Sequence, residues 1–341
     1  MVTIKDIAEK SGFSIGTVDR VLHGRGRVSK KTEDKIKAIV RSTGYRANIH
    51  ARNLSMCSVH NFGVIMPKSG QDSGYWDIMR RGIDQAERDL ATFNIHRHYF
   101  FFDKYSEESF INSCKDALEK DMAGLLIAPV LFDACSAFVK TISSEIPYVY
   151  VDSTIPDTTP IASIGQDSYQ SGVCGAKLMK VLLGGEGNVA VLRMLPNDFH
   201  INERVRGFSS AFDSTSSIKI HMFDLDGGLD DEEFSSRVKA IEEKIRPCKG
   251  FFVTNSETHR VAKALAHNSN RAHIVGYDCV DENIRLLKKG AIDFIISQNT
   301  REQGYTGINT LFRHLVLKEP CASQVQIPID IVVAENSFYY Q

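Results

Sequence analysis

Two groups of side chains in this sequence are spaced to do chemistry. The first lies in Ser14-Ile15-Gly16-Thr17-Val18-Asp19-Arg20-Val21-Leu22-His23. At helical spacing Ile15, Gly16, Asp19, Arg20 and His23 share one side, and Val18, Val21 and Leu22 share the other. A helix with an arginine on its polar stripe suits base recognition, because a guanidinium reads guanine through two hydrogen bonds. The second group is dispersed: Tyr75, Trp76, Arg204, Asn255, Asp278 and Gln298 each follow an apolar run or lie in the loop after one. Aromatic faces stack on C–H surfaces, and Asn, Asp, Gln and Arg pair with hydroxyls, so this set suits a polyhydroxylated small molecule. Arg204 would equally face a carboxylate, which leaves a sugar acid open. Singly, each residue has a plainer use: Trp76 as core, Asp278 as a helix cap.

These residues need elements to hold them. Ile4, Ile7 and Ala8 give the opening segment an apolar face, Gly12 allows a sharp turn, and Ser14 caps the helix that follows. Two short helices across a tight turn, with a polar stripe on the second, predict a helix-turn-helix. His23-Gly24-Arg25-Gly26-Arg27 is a basic loop suited to phosphate. Ser29 caps a third helix to about Ser42, and Gly44 ends it. Residues 48 to 55, with Asn48 as cap, are too few to hold a helix unaided.

From Phe62 onward apolar runs alternate with amphipathic segments. The predicted strands are Phe62–Met66, Tyr99–Phe102, Gly124–Ala128, Tyr148–Val151, Val189–Leu192, Ile220–Phe223, Phe251–Thr254, Ile274–Tyr277 and Phe294–Ser297. Helices are expected at Ile78–Leu90, Glu108–Leu118, Ser168–Leu183 and Glu233–Ile245. The alternation predicts α/β structure, with enough repeats for two doubly wound parallel-sheet lobes behind an all-α head. In such sheets ligands bind beyond the carboxyl ends of the strands, where the dispersed group falls.

Composition narrows the class. The chain has 341 residues, 43% hydrophobic and 24% charged, ordinary for a globular protein. No apolar run is long enough to span a bilayer, and the first residues do not resemble a secretory signal. Seven scattered cysteines with no C-x-x-C pair suit a reduced cytoplasm and neither a disulfide framework nor a zinc site. Charge is unevenly placed. Residues 1 to 56 hold twelve Lys and Arg against five Asp and Glu, net +7, which leaves −8 on the rest. A basic head on an acidic body directs the head alone to phosphate. The acidic stretch Asp224-Leu225-Asp226-Gly227 lacks the spacing of a calcium loop, and no nucleophile elbow, phosphate loop or H-E-x-x-H is present.

The run T-I-K-D-I-A-E-K-S-G-F-S-I-G-T-V-D-R-V-L, followed by G-R-V-S-K-K-T and G-Y-R-A-N-I-H-A-R-N-L, resembles the lactose/galactose repressor (LacI/GalR) family. The resemblance implies base reading by Ile15, Gly16 and Arg20, and backbone contacts by Ser14, Thr17, Ser29, Thr32 and Tyr45. It implies that 47–58 is a hinge that folds on DNA, with Leu54 wedging into the minor groove from both subunits of a dimer. Asp19 stands where a small hydroxyl residue is usual, and Ala47 where a proline is usual. Further on, N-x-R-V-R-G-F (202–208), V-T-N (253–255), V-G-Y-D (275–278) and I-S-Q-N (296–299) resemble the periplasmic sugar-binding-protein fold. That likeness assigns ligand contacts to the dispersed group and lobe crossings near 162, 292 and 324. In ribose-binding relatives an arginine follows the aspartate after the fourth strand, whereas this chain has Asp152-Ser153.

The expected organisation is therefore a DNA-binding head at 1–46, a hinge at 47–58 and a two-lobed effector and dimerisation domain at 59–341. The expected protein is a cytoplasmic transcription regulator, a repressor, with no cofactor. Its partners are a double-stranded DNA operator, a carbohydrate-like effector and a second copy of itself. The rivals are an activator or corepressor-type regulator with a non-sugar effector, a sugar-processing enzyme with a DNA-binding appendage, and a free solute receptor.

Overall fold

The computed structural model describes residues 4–22, 28–43, 59–142, 146–194, 198–213, 216–266 and 271–340. They belong to two compact units that divide between Val59 and His60. His23, Arg27, Tyr45, Asn48 and Leu54, with the hinge segment to residue 58, lie outside the described residues.

The head is three helices: α1 (Ile4–Ser11), α2 (Ile15–Leu22) and α3 (Lys30–Thr43). Gly12 has φ 76°, a left-handed value that only glycine adopts without strain, and its N–H donates to the Ala8 carbonyl at 2.9 Å. That bond ends α1 and swings the chain into α2. Ser14 caps α2 by accepting from the Thr17 N–H at 3.2 Å, and Ser29 caps α3 by accepting from the Thr32 N–H at 3.3 Å. Ile7, Val18 and Ile36, one from each helix, are wholly buried together.

The body runs β1 (His60–Pro67), α4 (Tyr75–Asp89), β2 (Ile95–Phe102), α5 (Glu107–Leu118), β3 (Gly124–Ile127), α6 (Phe132–Val139), β4 (Tyr148–Val151) and β5 (Ala162–Gln166). It continues with α7 (Ser168–Leu183), β6 (Gly187–Met194), α8 (Phe199–Ser210), β7 (Ile218–Leu225), α9 (Asp231–Lys244), β8 (Cys248–Val253) and α10 (Thr258–Ala264). Last come β9 (His273–Tyr277), α11 (Asp281–Lys288), β10 (Phe294–Ser297), α12 (Thr300–Leu315), β11 (Gln324–Ile327) and β12 (Asp330–Val332).

The strands make two six-stranded sheets, β11-β5-β4-β3-β1-β2 and β12-β10-β9-β8-β6-β7. All neighbours are parallel except β12, which runs antiparallel to β10. Strand runs such as Leu125–Ile127 and Phe251–Val253 are buried on both faces, as parallel sheets flanked by helices require. The chain leaves the first sheet after Gln166, returns to that lobe with α12 after Ser297, and passes from β11 to β12 between Ile327 and Asp330. Each passage falls a few residues after the crossing expected from sequence. The three strands absent from the sequence reading, β5, β11 and β12, are those bordering these passages.

The helix that carries Arg204 is placed by a close backbone approach. A Cβ on Gly207 of α8 would overlap the Tyr169 carbonyl of α7, and one on Gly172 of α7 would overlap the Arg204 carbonyl. Gly207→Ala should therefore push α7 and α8 apart and cost about 1–3 kcal/mol, the usual range for overpacking. The midpoint of urea denaturation measures this; an unshifted midpoint would show that the helices have slack.

Candidate functional site

All six dispersed residues line one cavity between the lobes. Tyr75 and Trp76 open α4, and their rings meet edge to face at 5.0 Å. Trp76 Nε1 donates to Asp72 Oδ2 at 2.7 Å, and the other oxygen of Asp72 pairs with the buried ammonium of Lys104. Tyr75 donates its hydroxyl hydrogen to Asp152 Oδ1 at 2.5 Å. From the other lobe, Arg204 lies over the Tyr277 ring at 4.1 Å and donates through Nη1 to the Thr254 carbonyl at 2.7 Å. Gln298 Nε2 donates to Asp278 Oδ1 at 2.8 Å. Asn255 spends its Oδ1 on the Glu257 N–H at 3.1 Å, leaving its amide hydrogens for the cavity.

Four polar atoms here are buried without a hydrogen-bond partner among the described residues: Arg204 Nε, Arg204 Nη2, Gln298 Oε1 and His200 Nδ1, the last in ionic contact with Asp198. Leaving a buried donor or acceptor unpaired costs about 1–3 kcal/mol. A molecule that brought the complementary atoms would remove that cost. Backbone strain gathers at the same place. Asp152 and Asp278, each directly after its strand, have φ 72° and φ 70°, and Asp72 and Ser73 have φ 50° and φ 57°. Asp tolerates this region better than most residues, yet the surroundings must hold it there.

The electrostatics are unusual. Burial pushes the Asp278 carboxyl up to about 7, although Arg204 and Gln298 pull the other way. Burial likewise raises Asp152, against His200 and the Tyr75 hydroxyl. For His200 burial disfavours the imidazolium, but Asp198 and Asp152 outweigh it and raise the pKa. Its Nδ1 lies 2.7 Å from Asp198 Oδ1 and its Nε2 4.0 Å from Asp152 Oδ2, as ionic contacts. Asp278 had no evident partner in the sequence; the fold sets Asp152 in the same cavity.

Asp72, Asp198 and His200 are cavity residues that the sequence reading passed over. Asp198 follows β6 and caps α8 through the His200 N–H at 3.2 Å, so reading past β6 reaches both; Arg204, expected in the loop there, lies instead within α8. Asp72 carried no such signal. The lobes meet across the cavity. Ser256 donates to the Asp72 carbonyl at 3.0 Å, Ser73 to Glu257 Oε1 at 3.0 Å, and Ser153 to Asp198 Oδ1 at 3.3 Å. The enclosed space is about 30 Å3.

In the head, Ser14, Ile15, Gly16, Arg20 and Ser29 are exposed, with Ile15 46% accessible, and Thr17 and Thr32 are half-buried. Ser14 shares a hydroxyl hydrogen bond with Thr17 at 2.9 Å, and Ser29 one with Thr32 at 2.8 Å.

Residues 3–48 match the bacterial regulatory proteins of the lacI family, and residues 62–319 match the periplasmic binding protein domain. The chain carries a lacI-family head on a periplasmic binding protein domain. Among its relatives, the HTH-type transcriptional regulator DegA of Bacillus subtilis is 24% identical over 213 residues, 62% of this chain and 60% of DegA. Catabolite control protein A of Priestia megaterium is 22% identical over 96% of both chains. The crystal structure of a candidate LacI transcriptional regulator from Bacteroides fragilis superposes with TM-score 0.77 at 26% identity, covering 83% of this chain and all of that one. DegA and the Bacteroides fragilis protein are transcriptional regulators by name. No helix among the described residues is long and apolar enough to cross a membrane.

Proposed function

We propose that this chain is a DNA-binding transcription regulator, acting as a repressor, whose operator affinity is altered by an uncharged carbohydrate-like effector held between the lobes. The observation that carries the ligand reading is the buried trio of unpartnered atoms, Arg204 Nε and Nη2 and Gln298 Oε1, set among carboxylates and beside Trp76. A sugar supplies both needs: hydroxyl oxygens accept from Arg204, and hydroxyl hydrogens go to Gln298, Asp152 and Asp278. A sugar acid would satisfy Arg204 at the cost of bringing a negative charge among Asp152, Asp198 and Asp278, so neutral sugars and polyols fit better. The lobes must part to admit one, since the closed space is far smaller than a usual ligand pocket of about 300–1,000 Å3. On the DNA side, the exposed face of α2 and the +7 head fit a major-groove reader working as a homodimer on a two-fold site.

A thermal-shift screen of neutral sugars, polyols and sugar acids tests the ligand reading, because a ligand that binds only the folded state raises its melting temperature. Hits are then added to the protein on a selected operator, and recovered unchanged after incubation if the protein does no chemistry on them. If no sugar or polyol shifts melting, the ligand reading is wrong. For the head, Arg20→Ala should cost about 1–3 kcal/mol on operator DNA and leave random-DNA affinity almost unaltered. Equal losses on both in a gel-shift titration would assign Arg20 to phosphate alone.

A further inference from the structure

A second cavity lies beside the cleft, toward the passages between the lobes. Its volume is about 190 Å3, against about 30 Å3 for the cleft, and the two share Asp152 and His200 in their walls. The larger of these two spaces thus lies on the far side of the Asp152–His200 contact, toward the lobe crossings. Polar side chains stand in its wall beside Ile164, Tyr169 and Phe199: Ser153, Thr154 and Ser163 from the first lobe, Gln166 at the crossing, and Glu203 from the second lobe. Thr154 and Ser163 are linked through their hydroxyls at 2.9 Å. Gln166 is 8% accessible, and its Nε2 donates to the Ser297 and Pro328 carbonyls at 2.9 Å and 3.0 Å. Those two bonds fix which end of the amide is oxygen. Its Oε1 is buried with no partner among the described residues.

We infer that this chamber is a second subsite of the effector, taking a hydroxyl-bearing ring joined to the one in the cleft. The inference rests on the sugar reading above and extends it from a monosaccharide to a disaccharide or glycoside. The wall chemistry sets the class. Asp152, Asp167 and Glu203 are carboxylates and His200 is the one basic side chain in the chamber's described wall, so the occupant donates hydrogen bonds and carries no negative charge. Gln166 Oε1 needs a donor, which a sugar hydroxyl provides. The small side chains Ser153, Thr154 and Ser163 leave the room for a ring. Asp152 and His200, standing in both walls, then contact the ligand near its glycosidic link.

Calorimetric titration of the full chain with matched sugars tests this: glucose against maltose and cellobiose, galactose against lactose and melibiose, fructose against sucrose. The expected result is at least one disaccharide that binds tenfold or more tighter than either of its component sugars. Thr154→Leu should erase that advantage by filling the chamber while leaving the component sugar's Kd unmoved, which also shows that the variant is folded. Ser168→Leu, at another point of the same wall, should do the same. If monosaccharides bind and no disaccharide gains, or if the gain survives both substitutions, the chamber is not a subsite and the cleft reading stands. If no sugar of either size binds, the cleft reading itself fails and takes this inference with it.

Discussion

Asp278→Ala should abolish the effect of the ligand on operator binding while leaving operator affinity in its absence intact. Asp278 is held at φ 70° directly after β9, and its carbonyl accepts from Asn283 Nδ2 at 2.9 Å. Gln298 Nε2 holds one carboxylate oxygen at 2.8 Å, and in the proposed complex two ligand hydroxyls donate to the carboxylate. Hydrogen bonds to a charged group contribute about 1.5–3 kcal/mol each. Losing two of them weakens effector binding by roughly two to four orders of magnitude, since each 1.4 kcal/mol is tenfold. A coupling of about 1–3 kcal/mol, the common range, then disappears from view at any practical effector concentration. Asp278→Asn keeps the shape and one acceptor, so it should fall between. A gel-shift titration with and without effector decides it: a variant still responding at the wild-type concentration removes Asp278 from the site.

The second large effect is on pH. Free and closed, Asp278 titrates near 7 because burial disfavours its charge. Hydroxyls that donate to the carboxylate favour the charged form, so the bound state has the lower pKa. Binding below about pH 7 must then release a proton, and affinity should climb up to tenfold per pH unit from about 5 to 7 and level off above. Stability of the ligand-free protein runs the other way. A carboxyl whose folded pKa lies above its unfolded value of about 3.9 takes up a proton on folding. Its contribution is full below about pH 4 and is lost as pH rises through 7. His200, also raised, contributes in the same direction. Calorimetry in buffers of different ionisation enthalpy counts the protons released. Affinity that falls as pH rises from 5 to 7 would mean that the ligand meets the protonated acid.

Much of this was written locally in the chain. The head depends on contacts within a few residues: the glycine turn at Gly12, the caps Ser14 and Ser29, and apolar positions 3.6 apart. These local signals together therefore located α1 to α3 to within a residue or two. The strands buried on both faces were equally plain, because nothing but an unbroken apolar run can occupy them. Six cleft residues followed from one topological rule, that parallel strands present their carboxyl ends to the ligand.

Other features exist only once the lobes are folded against each other. β5 and β11 read Ala-Ser-Ile-Gly-Gln and Gln-Val-Gln-Ile, and β11 is an edge strand with mostly accessible residues, so no burial pattern marks it. Asp72 is a turn residue in sequence; Lys104, Trp76 and Ser256, up to 184 positions away, make it a support of the cleft. Nothing in the string Tyr277-Asp278-Cys279 hints at a carboxyl titrating near 7, because that shift comes from burial by residues remote in the chain. The chamber beside Ser153 is likewise a product of packing, bounded at once by the segment after β4, by β5, α7, α8 and β11. Side-chain identity and local spacing determined which groups were available for recognition. Which of them meet, and with what charge, was decided by tertiary structure, because desolvation and pairing depend on neighbours that sequence order does not reveal.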